Sequence, residues 1–302
     1  MEIVAEGLEF PEGPVAMPDG SVILVEIKRQ TLTRISSSGK AEIVAEMPGG
    51  PNGAALGPDG KVYVCNNGGF EWRTVMGQTI SGDAPPGYEG GSIQRVDLST
   101  GAVETLYTEV AGHRLSGPND LVFDRAGGFW FTDHGKSHPH ARDHGGLYYA
   151  LPDGSRIVEA FYPMATPNGV GLSPDEKTLY VADTMSGRLL AFDVAAPGEL
   201  APSPIPLPGR VVASLPGYQF LDSLAVEANG NICVATLLNG GITTFALDGA
   251  FEHLALPDLF PTNICFGGAD MMDAWVTLSG GGKLAKLRWP RPGLKLNFAP
   301  YP

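Results

Sequence analysis

Six similar phrases along the chain each begin with a side chain that carries a carboxylate or an amide oxygen. These six residues, called the marker residues below, are Glu12, Asn52, Asn119, Asn168, Asp222 and Asn263. Hard divalent cations bind such oxygens, and calcium takes about six to eight of them, water included. If the markers meet in the fold, they form a site for one cation, whose charge Glu12 and Asp222 neutralise. The absence of His and Cys from the set disfavours a structural zinc site.

A local role is the alternative for each marker taken singly. Asn and Asp favour turns because their side chains hydrogen-bond to the backbone nearby. Glu12 fits that role least well, since Glu is a poor turn residue and here precedes Gly-Pro. Acids replace Asn in only two of the six phrases, which indicates that one side of the site is specialised.

Each marker is followed by an apolar run, a turn and a second apolar run, which predicts two strands joined by a turn. The turn residues that stand seven positions after a marker are Asp19, Asp59, Asp175, Asn229 and Asp270, with Ala126 as the exception. The second strands are predicted to end near Glu26, Asn66, Asp133, Asp183, Thr236 and Thr277. One supersecondary unit therefore repeats six times. Repeated sheets close into a ring of radial blades, so we predict an all-β, six-bladed β-propeller whose markers converge on the axis.

The two ends of the chain are predicted to share the last blade. The sixth repeat offers only three strand-like segments before Pro290, and residues 2–6 form a strand with no blade of their own. We therefore expect the N-terminal strand to complete the sixth sheet and close the ring. The repeats cover nearly the whole chain, which predicts a single domain over residues 1–302.

Two repeats carry insertions. Residues 67–91 contain Phe70 and Trp72 and follow a strand end, so we expect a lid or a wall of the pocket, with a mobile surface loop as the alternative. Residues 133–144 hold four of the six histidines but match no zinc spacing, and we expect a solvated loop there. His134 is the expected exception because it adjoins a strand end.

Several phrases carry a resemblance to a known family. They are Phe10-Pro-Glu-Gly-Pro, Gly117-Pro-Asn-Asp, Pro167-Asn-Gly-Val-Gly-Leu-Ser-Pro-Asp, Leu179-Tyr-Val-Ala-Asp-Thr and Leu221-Asp-Ser-Leu-Ala-Val. In order and spacing they resemble the gluconolactonase/regucalcin/luciferin-regenerating family of six-bladed propellers, over essentially the whole chain. The resemblance implies one divalent metal in the channel, held by Glu12, Asn168 and Asp222. Calcium is the expected ion, with Mg²⁺, Mn²⁺, Zn²⁺ and Fe²⁺ as alternatives, and Asn119 is implied to approach the metal or the substrate.

The substrate is expected to be a lactone. Family members that hydrolyse sugar lactones have an Arg two residues before the position of Asn119, whereas this chain has Gly117, with Arg114 as the nearest base. Together with the aromatic insertion this favours a less polar lactone, although gluconolactonase-like members also carry the Pro-Asn-Asp phrase. The residues expected to contact the substrate are Asn119, Asn52, Asn263, His134, Phe70, Trp72 and Phe220.

The expected reaction is hydrolysis of the lactone, in which a metal polarises the ring carbonyl and water attacks it. Asp222 is the first candidate for the general base, since its carboxylate shares the metal site. Asp120 and Asp133 are the competing candidates, and each also has an ordinary role as a strand-end or turn residue. Two rival functions use the same site: a phosphotriesterase or arylesterase, and a propeller that only binds a small ligand.

Composition narrows the partners. A formal net charge of −13 argues against nucleic acid, because phosphate binding needs clustered Lys and Arg. No apolar stretch is long enough for a membrane span, and residues 1–6 lack the features of a signal peptide. We therefore expect a cytoplasmic protein that acts on a small-molecule lactone without a membrane partner. The sequence makes no prediction about the oligomeric state.

Overall fold

A computed structural model describes residues 1–205 and 207–300. The strands from the N-terminus to the end of the third repeat are β1 (Glu2–Glu6), β2 (Pro11–Ala16), β3 (Val22–Glu26), β4 (Thr31–Ile35), β5 (Ala41–Glu46), β6 (Pro51–Leu56), β7 (Val62–Asn66), β8 (Trp72–Val75), β9 (Gln78–Ser81), β10 (Ser92–Val96), β11 (Val103–Tyr107), β12 (Glu109–Val110), β13 (His113–Arg114), β14 (Pro118–Phe123), β15 (Phe129–Asp133), β16 (Ser137–His138), β17 (Ala141–Arg142), β18 (Gly145–Ala150) and β19 (Ile157–Met164). Those that follow are β20 (Pro167–Leu172), β21 (Thr178–Asp183), β22 (Arg188–Ala196), β23 (Glu199–Leu200), β24 (Arg210–Ser214), β25 (Phe220–Val226), β26 (Ile232–Leu237), β27 (Gly241–Phe245), β28 (Phe251–Ala255), β29 (Pro261–Gly267), β30 (Asp273–Leu278) and β31 (Lys283–Arg288). None of the described residues lies in a helix long and apolar enough to cross a membrane.

Six antiparallel sheets stand around a central channel. Blades I to VI are β2-β3-β4-β5, β6-β7-β10-β11, β14-β15-β18-β19, β20-β21-β22-β24, β25-β26-β27-β28 and β29-β30-β31-β1. The first strand of every blade contacts the first strands of both neighbouring blades, from β2 round to β29 and back to β2. These six first strands therefore surround the channel. The predicted six-bladed propeller is confirmed.

Apolar side chains fill the space between neighbouring blades. Each of the six interfaces has its own buried cluster. Between blades II and III, for example, Tyr63 packs edge-on against Phe123 with ring centroids 5.1 Å apart. The second strands β3, β7 and β15 are buried along their whole length. This burial on both faces is why such strands appear in the sequence as continuous apolar runs.

The ring is closed by strands from both ends of the chain. β1 pairs antiparallel with β31, which places Glu6 opposite Lys283. Ala5 and Leu8 are buried in a cluster that also contains side chains of blade I. The N-terminal strand therefore completes the last blade, as the sequence predicted.

A segment that follows β31 crosses the far end of the channel. We call residues 289–300 the C-terminal strap. Leu294 donates its backbone N–H to Val226 O of blade V at 2.8 Å, and Asn297 Nδ2 donates to Phe123 O of blade III at 3.0 Å. Both acceptors lie at the ends of first strands, whereas the markers lie near their starts. The strap therefore closes the channel at the end opposite the markers.

Removal of residues 1–8 is expected to destabilise the whole protein. Blade VI loses its outer strand, and Ala5 and Leu8 leave the cluster between blades VI and I. Losing buried side chains of this kind costs about 4 kcal/mol, which lowers Tm by roughly 10 °C for a protein of this size. Thermal unfolding measures the change. Removal of Met1 alone, whose side chain is 62% exposed, is the control; an equal Tm for both truncated proteins would contradict the role given to β1.

Candidate functional site

Each first strand departs from regular pairing where its marker lies. The irregularities fall between Glu12 and Val15, Pro51 and Ala54, Pro118 and Leu121, Pro167 and Val170, Leu221 and Leu224, and Pro261 and Asn263. A β-bulge leaves a residue unpaired and changes the direction of its side chain. Four markers lie inside the irregular stretch, whereas Glu12 and Asn263 lie at its boundary and pair with Val25 and Thr277. Five markers are buried, and Asp222 is half-buried. The repeated bulge, which the sequence analysis did not predict, is the local device that sets the markers apart from the apolar alternation around them.

The residue after several markers is a glycine that the packing requires. A Cβ on Gly13 would lie 2.6 Å from Ala54 N of blade II, and a Cβ on Gly169 would lie 2.6 Å from Leu224 N of blade V. A side chain does not fit at such distances, so these glycines permit neighbouring first strands to approach closely. The ring of markers is narrow for this reason.

Three acidic side chains at this narrow ring, Glu12, Asp120 and Asp222, are near enough to one another for their charges to interact. Glu12 Oε2 accepts hydrogen bonds from Gly13 N and Asn263 Nδ2, both at 2.9 Å. Burial raises the pKa of Glu12. Burial and the charge of Glu12 raise the pKa of Asp222 well above its usual range and the pKa of Asp120 to about 7. No ion pair within residues 1–205 and 207–300 involves these three acids, so the cluster favours a bound cation.

Asn168 presents an oxygen atom without a partner. Its Nδ2 donates to Thr184 Oγ1 at 3.1 Å, which leaves Oδ1 free. This oxygen is buried and accepts no hydrogen bond from any residue that the structure describes. Most buried polar atoms are hydrogen-bonded, so an exception of this kind indicates a missing ligand. The side chain of Asn168 also lowers the pKa of Asp222, which places this amide beside the acidic cluster.

The donor set fits a hard divalent cation. In the described part of the chain, no three His, Cys, Asp or Glu side chains come close enough together to hold a metal ion by themselves. A site here therefore needs amide oxygens as well as acids. Glu12 and Asp222 supply negative charge, and Asn168 supplies a neutral oxygen of the type that calcium prefers. A cation at this place would also relieve the repulsion among the buried acids.

Asp120 faces the closed side of the ring. Its Oδ1 accepts the N–H of Leu121 at 2.8 Å. The residue lines a cavity of about 110 Å³ that extends towards the C-terminal strap and is otherwise mainly apolar. Asn52 and Asn119 are buried in the first strands of blades II and III. Asn119 directly precedes Asp120, so blade III contributes both an amide and an acid to the region of the ring.

Asp133 anchors a loop. Its carboxylate accepts the backbone N–H groups of Ser116, Gly117 and Gly135 at 2.6–2.8 Å. The residue that ends the second strand does the same work in other blades: Asn66 Oδ1 accepts Gly50 N, Asp183 Oδ2 accepts Thr166 N and Glu26 Oε2 accepts Glu9 N. In blades I to IV this residue therefore holds the loop that leads into the marker strand.

The insertion over residues 133–144 is less solvated than the sequence predicted. Lys136 is only 1% exposed, so the expectation of a solvated loop is wrong at this residue. His134 Nδ1 lies 2.9 Å from Arg142 Nη2, which donates to it. Loss of solvent and the charges of Arg142 and Lys136 lower the pKa of His134 to about 3. The imidazole is therefore neutral and carries its proton on Nε2.

The insertion over residues 67–91 reaches across the marker end of the ring. Its hairpin β8–β9 leaves blade II and meets blade VI, where Thr79 N donates to Gly280 O at 3.0 Å. Trp72 packs on Phe10 with ring centroids 5.0 Å apart, and Phe70 packs on Trp72 at 5.9 Å. Phe10 stands two residues before the first marker. The two predicted aromatic residues are thus brought close to the start of a marker strand.

Phe220 lies on another part of this end, at the start of β25 in blade V. It packs on Tyr218 with ring centroids 5.9 Å apart, and Tyr218 is 84% exposed. The aromatic residues named from the sequence therefore come from two separate parts of the ring.

Three polar residues near the site were missed by the sequence analysis: Asn67, Lys136 and Thr184. Asn67 and Thr184 each stand one position after the residue that ends a second strand, as His134 does. That shared repeat position was a usable signal for both. Lys136 had no such signal, because its burial depends on the distant insertion of blade II.

Comparison with known proteins agrees with this architecture. Residues 10–280 match the family described as SMP-30/Gluconolactonase/LRE-like region. A lactonase drp35 from Staphylococcus saprophyticus is 28% identical over 253 residues, which cover 83% of this chain and 70% of the relative. A gluconolactonase from Zymomonas mobilis is 28% identical over 302 residues, which cover 88% of this chain and 76% of the relative.

Solved structures share the fold. A gluconolactonase from Xanthomonas campestris matches with a TM-score of 0.74 at 24% identity, over 95% of this chain and 89% of that one. The calcium-binding protein regucalcin from Agrobacterium tumefaciens matches with a TM-score of 0.73 at 19% identity, over 97% of both chains.

Neutralising Asp120 is expected to stabilise the protein at pH 7 when divalent cations are chelated. Its pKa of about 7 in the folded state exceeds the ordinary aspartate value. The unfolded chain therefore releases this proton first, and the contribution of Asp120 to stability falls as pH rises from about 4 to 7. Asp120→Asn should raise Tm by roughly 5 °C at pH 7 and leave it little changed at pH 4.

Thermal unfolding in chelator at several pH values checks this. Asp153→Asn is the matched control, because hydrogen bonds from Ser155 lower the pKa of that exposed carboxyl. Its effect at pH 7 should have the opposite sign. A Tm difference for Asp120→Asn that does not change with pH would contradict the burial argument.

Proposed function

The chain belongs to the SMP-30/gluconolactonase/LRE-like family, and we propose that it is a divalent-cation-dependent lactonase, a hydrolase that opens a cyclic ester with water. One observation carries the proposal. Glu12 and Asp222 lie at a narrow part of the channel beside the amide of Asn168, whose oxygen has no partner, and no basic side chain of residues 1–205 or 207–300 forms an ion pair with either acid. Relatives named lactonase and gluconolactonase support the reaction class.

The residues that would hold the cation are Glu12, Asn168 and Asp222, with Asn119 as a further oxygen donor. All of these donors are oxygens, so calcium is the proposed ion, with Mg²⁺, Mn²⁺, Zn²⁺ and Fe²⁺ as alternatives. The description of a structural neighbour as a calcium-binding regucalcin agrees with that choice. When bound, the cation supplies Lewis-acid polarisation of the lactone carbonyl.

The side chains of the protein supply position and proton transfer. Asn263 Nδ2 holds Glu12 in place through its hydrogen bond. Asp222 is the proposed general base, since a carboxylate at the ring can lie within hydrogen-bonding reach of an attacking water. Asp120 is the second candidate, although it faces the closed side of the channel. Asp133 already accepts three backbone N–H groups, so we assign it an anchoring role.

We further propose that the substrate is a small organic lactone with an apolar substituent rather than a polyhydroxylated sugar lactone. Polar contacts would come from Asn52, Asn119, Asn263 and the neutral His134, and apolar contacts from Phe70, Trp72 and Phe220. Arg114 does not take the place of the arginine that sugar-lactonase relatives have at the position of Gly117. Its side chain is exposed and bonds Glu89 O in the other insertion. Arg142, whose guanidinium adjoins His134, is engaged with His134 and Ser137 through its two terminal nitrogens.

A pH-indicator assay tests the function on a panel of sugar, aliphatic and aromatic lactones. The protein is assayed as purified, after chelation, and with calcium, magnesium, manganese or zinc added back. We expect turnover that chelation abolishes and calcium restores, with apolar lactones hydrolysed faster than sugar lactones. Turnover that ignores chelation, or none on any lactone with a cation present, would sink the proposal. The phosphotriesterase, arylesterase and ligand-binding functions would then be the preferred hypotheses.

Two substitutions separate the candidate bases. At saturating cation, Asp222→Asn should lower kcat by about 10²–10⁴-fold with the fold retained. Asp133→Asn should lower Tm and leave kcat/KM of the folded protein nearly unchanged, because it weakens a loop anchor. Circular dichroism, thermal unfolding and initial rates measure the three quantities. A wild-type kcat in Asp222→Asn would remove that residue from the mechanism.

A further inference from the structure

Asn67 occupies a repeat position whose equivalent in blade IV contacts a marker residue. It directly follows the end of β7, and its backbone N–H donates to Gly50 O at 2.8 Å. His134 and Thr184 occupy the same place in blades III and IV, with the same backbone bond to the loop before their marker strands. Thr184 Oγ1 contacts the side chain of the marker Asn168. By equivalence of the blades, the side chain of Asn67 is presented to the marker end of the channel.

The orientation of the Asn67 amide is fixed. Oδ1 lies 2.8 Å from Gly69 N and 3.3 Å from Lys136 Nζ. Both neighbours are donors, so the atom that they share is the oxygen and the other atom is the nitrogen. Nδ2 is buried and has no hydrogen-bond partner anywhere in residues 1–205 and 207–300. Since the residue is only 2% exposed, this is a donor built into the protein without an internal acceptor.

Lys136 holds this amide and the aromatic wall together. Its Nζ donates to Gly69 O at 2.7 Å and lies 3.9 Å from the centre of the Phe70 ring. These contacts hold the buried amino group of Lys136 in place. One lysine of blade III therefore sets the direction of Asn67 and the place of Phe70, both in blade II.

The geometry points to Asn67 as a further substrate-positioning residue, whose Nδ2 donates a hydrogen bond to an ester oxygen of the bound lactone, with Lys136 as the residue that orients it. The inference rests on the proposed lactonase function. A neutral amide donor suits the neutral oxygens of an ester. It also gives a reason for the buried nitrogen to have no partner within the protein.

The test compares two adjacent asparagines. Asn67→Asp keeps the oxygen that Gly69 and Lys136 contact and replaces the donor with an acceptor, so kcat/KM on the best lactone of the panel should fall at least about tenfold. Asn66→Asp is the matched control, because Asn66 Nδ2 is already paired with Pro48 O and Gln94 Oε1. That variant should lose Tm, with kcat/KM changed by less than about threefold.

A second readout separates this inference from the proposed function. The rise in Tm that calcium causes should be no smaller in Asn67→Asp than in the wild type, since the residues that hold the cation are unchanged. An unchanged kcat/KM in Asn67→Asp would overturn the inference and leave the lactonase function standing. A wild type that hydrolyses no lactone would overturn both.

A double-mutant cycle tests the role of Lys136. Lys136→Met should lower kcat/KM in the wild type and have no further effect in Asn67→Asp, because both changes remove one oriented donor. If the losses of kcat/KM in the two single variants add in the double variant, Lys136 does not act through Asn67 and its role is structural only.

Discussion

Six first strands have to meet around one narrow channel, and most features of the site follow from that constraint. Glycines after several markers remove the side chains that would hold neighbouring strands apart. Bulges at the markers break the alternation that would otherwise send polar groups into the apolar interfaces. Both devices weaken the local strand, since a bulge gives up regular pairing and glycine loses more chain entropy on folding. The apolar clusters between blades lie away from the axis and offset that loss.

The narrow ring changes the chemistry of ordinary side chains. Glu12, Asp120 and Asp222 would each be unremarkable carboxylates on a surface, but out of water and beside one another their charged forms are disfavoured. A cation that binds the folded protein stabilises it by mass action and removes the repulsion. Stability and the proposed activity are therefore coupled through the same few atoms. The unpartnered oxygen of Asn168 belongs to the same arrangement.

Around the marker end, successive positions of one repeat have different tasks. The residue that ends the second strand fastens the loop before the marker, as Asp133 and Asp183 do. The next residue, His134 or Thr184, is free to face the channel. Because the fastening does not depend on the second residue, each blade can carry a different polar group there without losing its loop. Asn67 has this second position in blade II, and the insertion that covers it contacts Lys136 through Gly69 and Phe70.

Local pattern in the sequence was sufficient for the architecture. Turn residues seven positions after each marker, with apolar runs on either side, predicted the strands, the six blades and the N-terminal strand that closes the last one. Equivalence of the repeats then selected the six markers as one set without any contact being known, and the family resemblance singled out Glu12, Asn168 and Asp222 as the proposed metal ligands. The predictions of strands and blades succeeded because strands and turns depend on neighbours in the chain.

Tertiary packing decided the rest. Lys136 belongs to a loop that looked solvated, and it is buried because the insertion of blade II folds over it. Asp133 became an anchor because three backbone N–H groups converge on it, two of them from the loop before β14. The free atoms of Asn67 and Asn168 are defined only after every other donor and acceptor has found its partner. The sequence by itself determined what each segment becomes; only the packing of distant segments determined which polar atoms remain for a ligand, because that depends on contacts that no local pattern encodes.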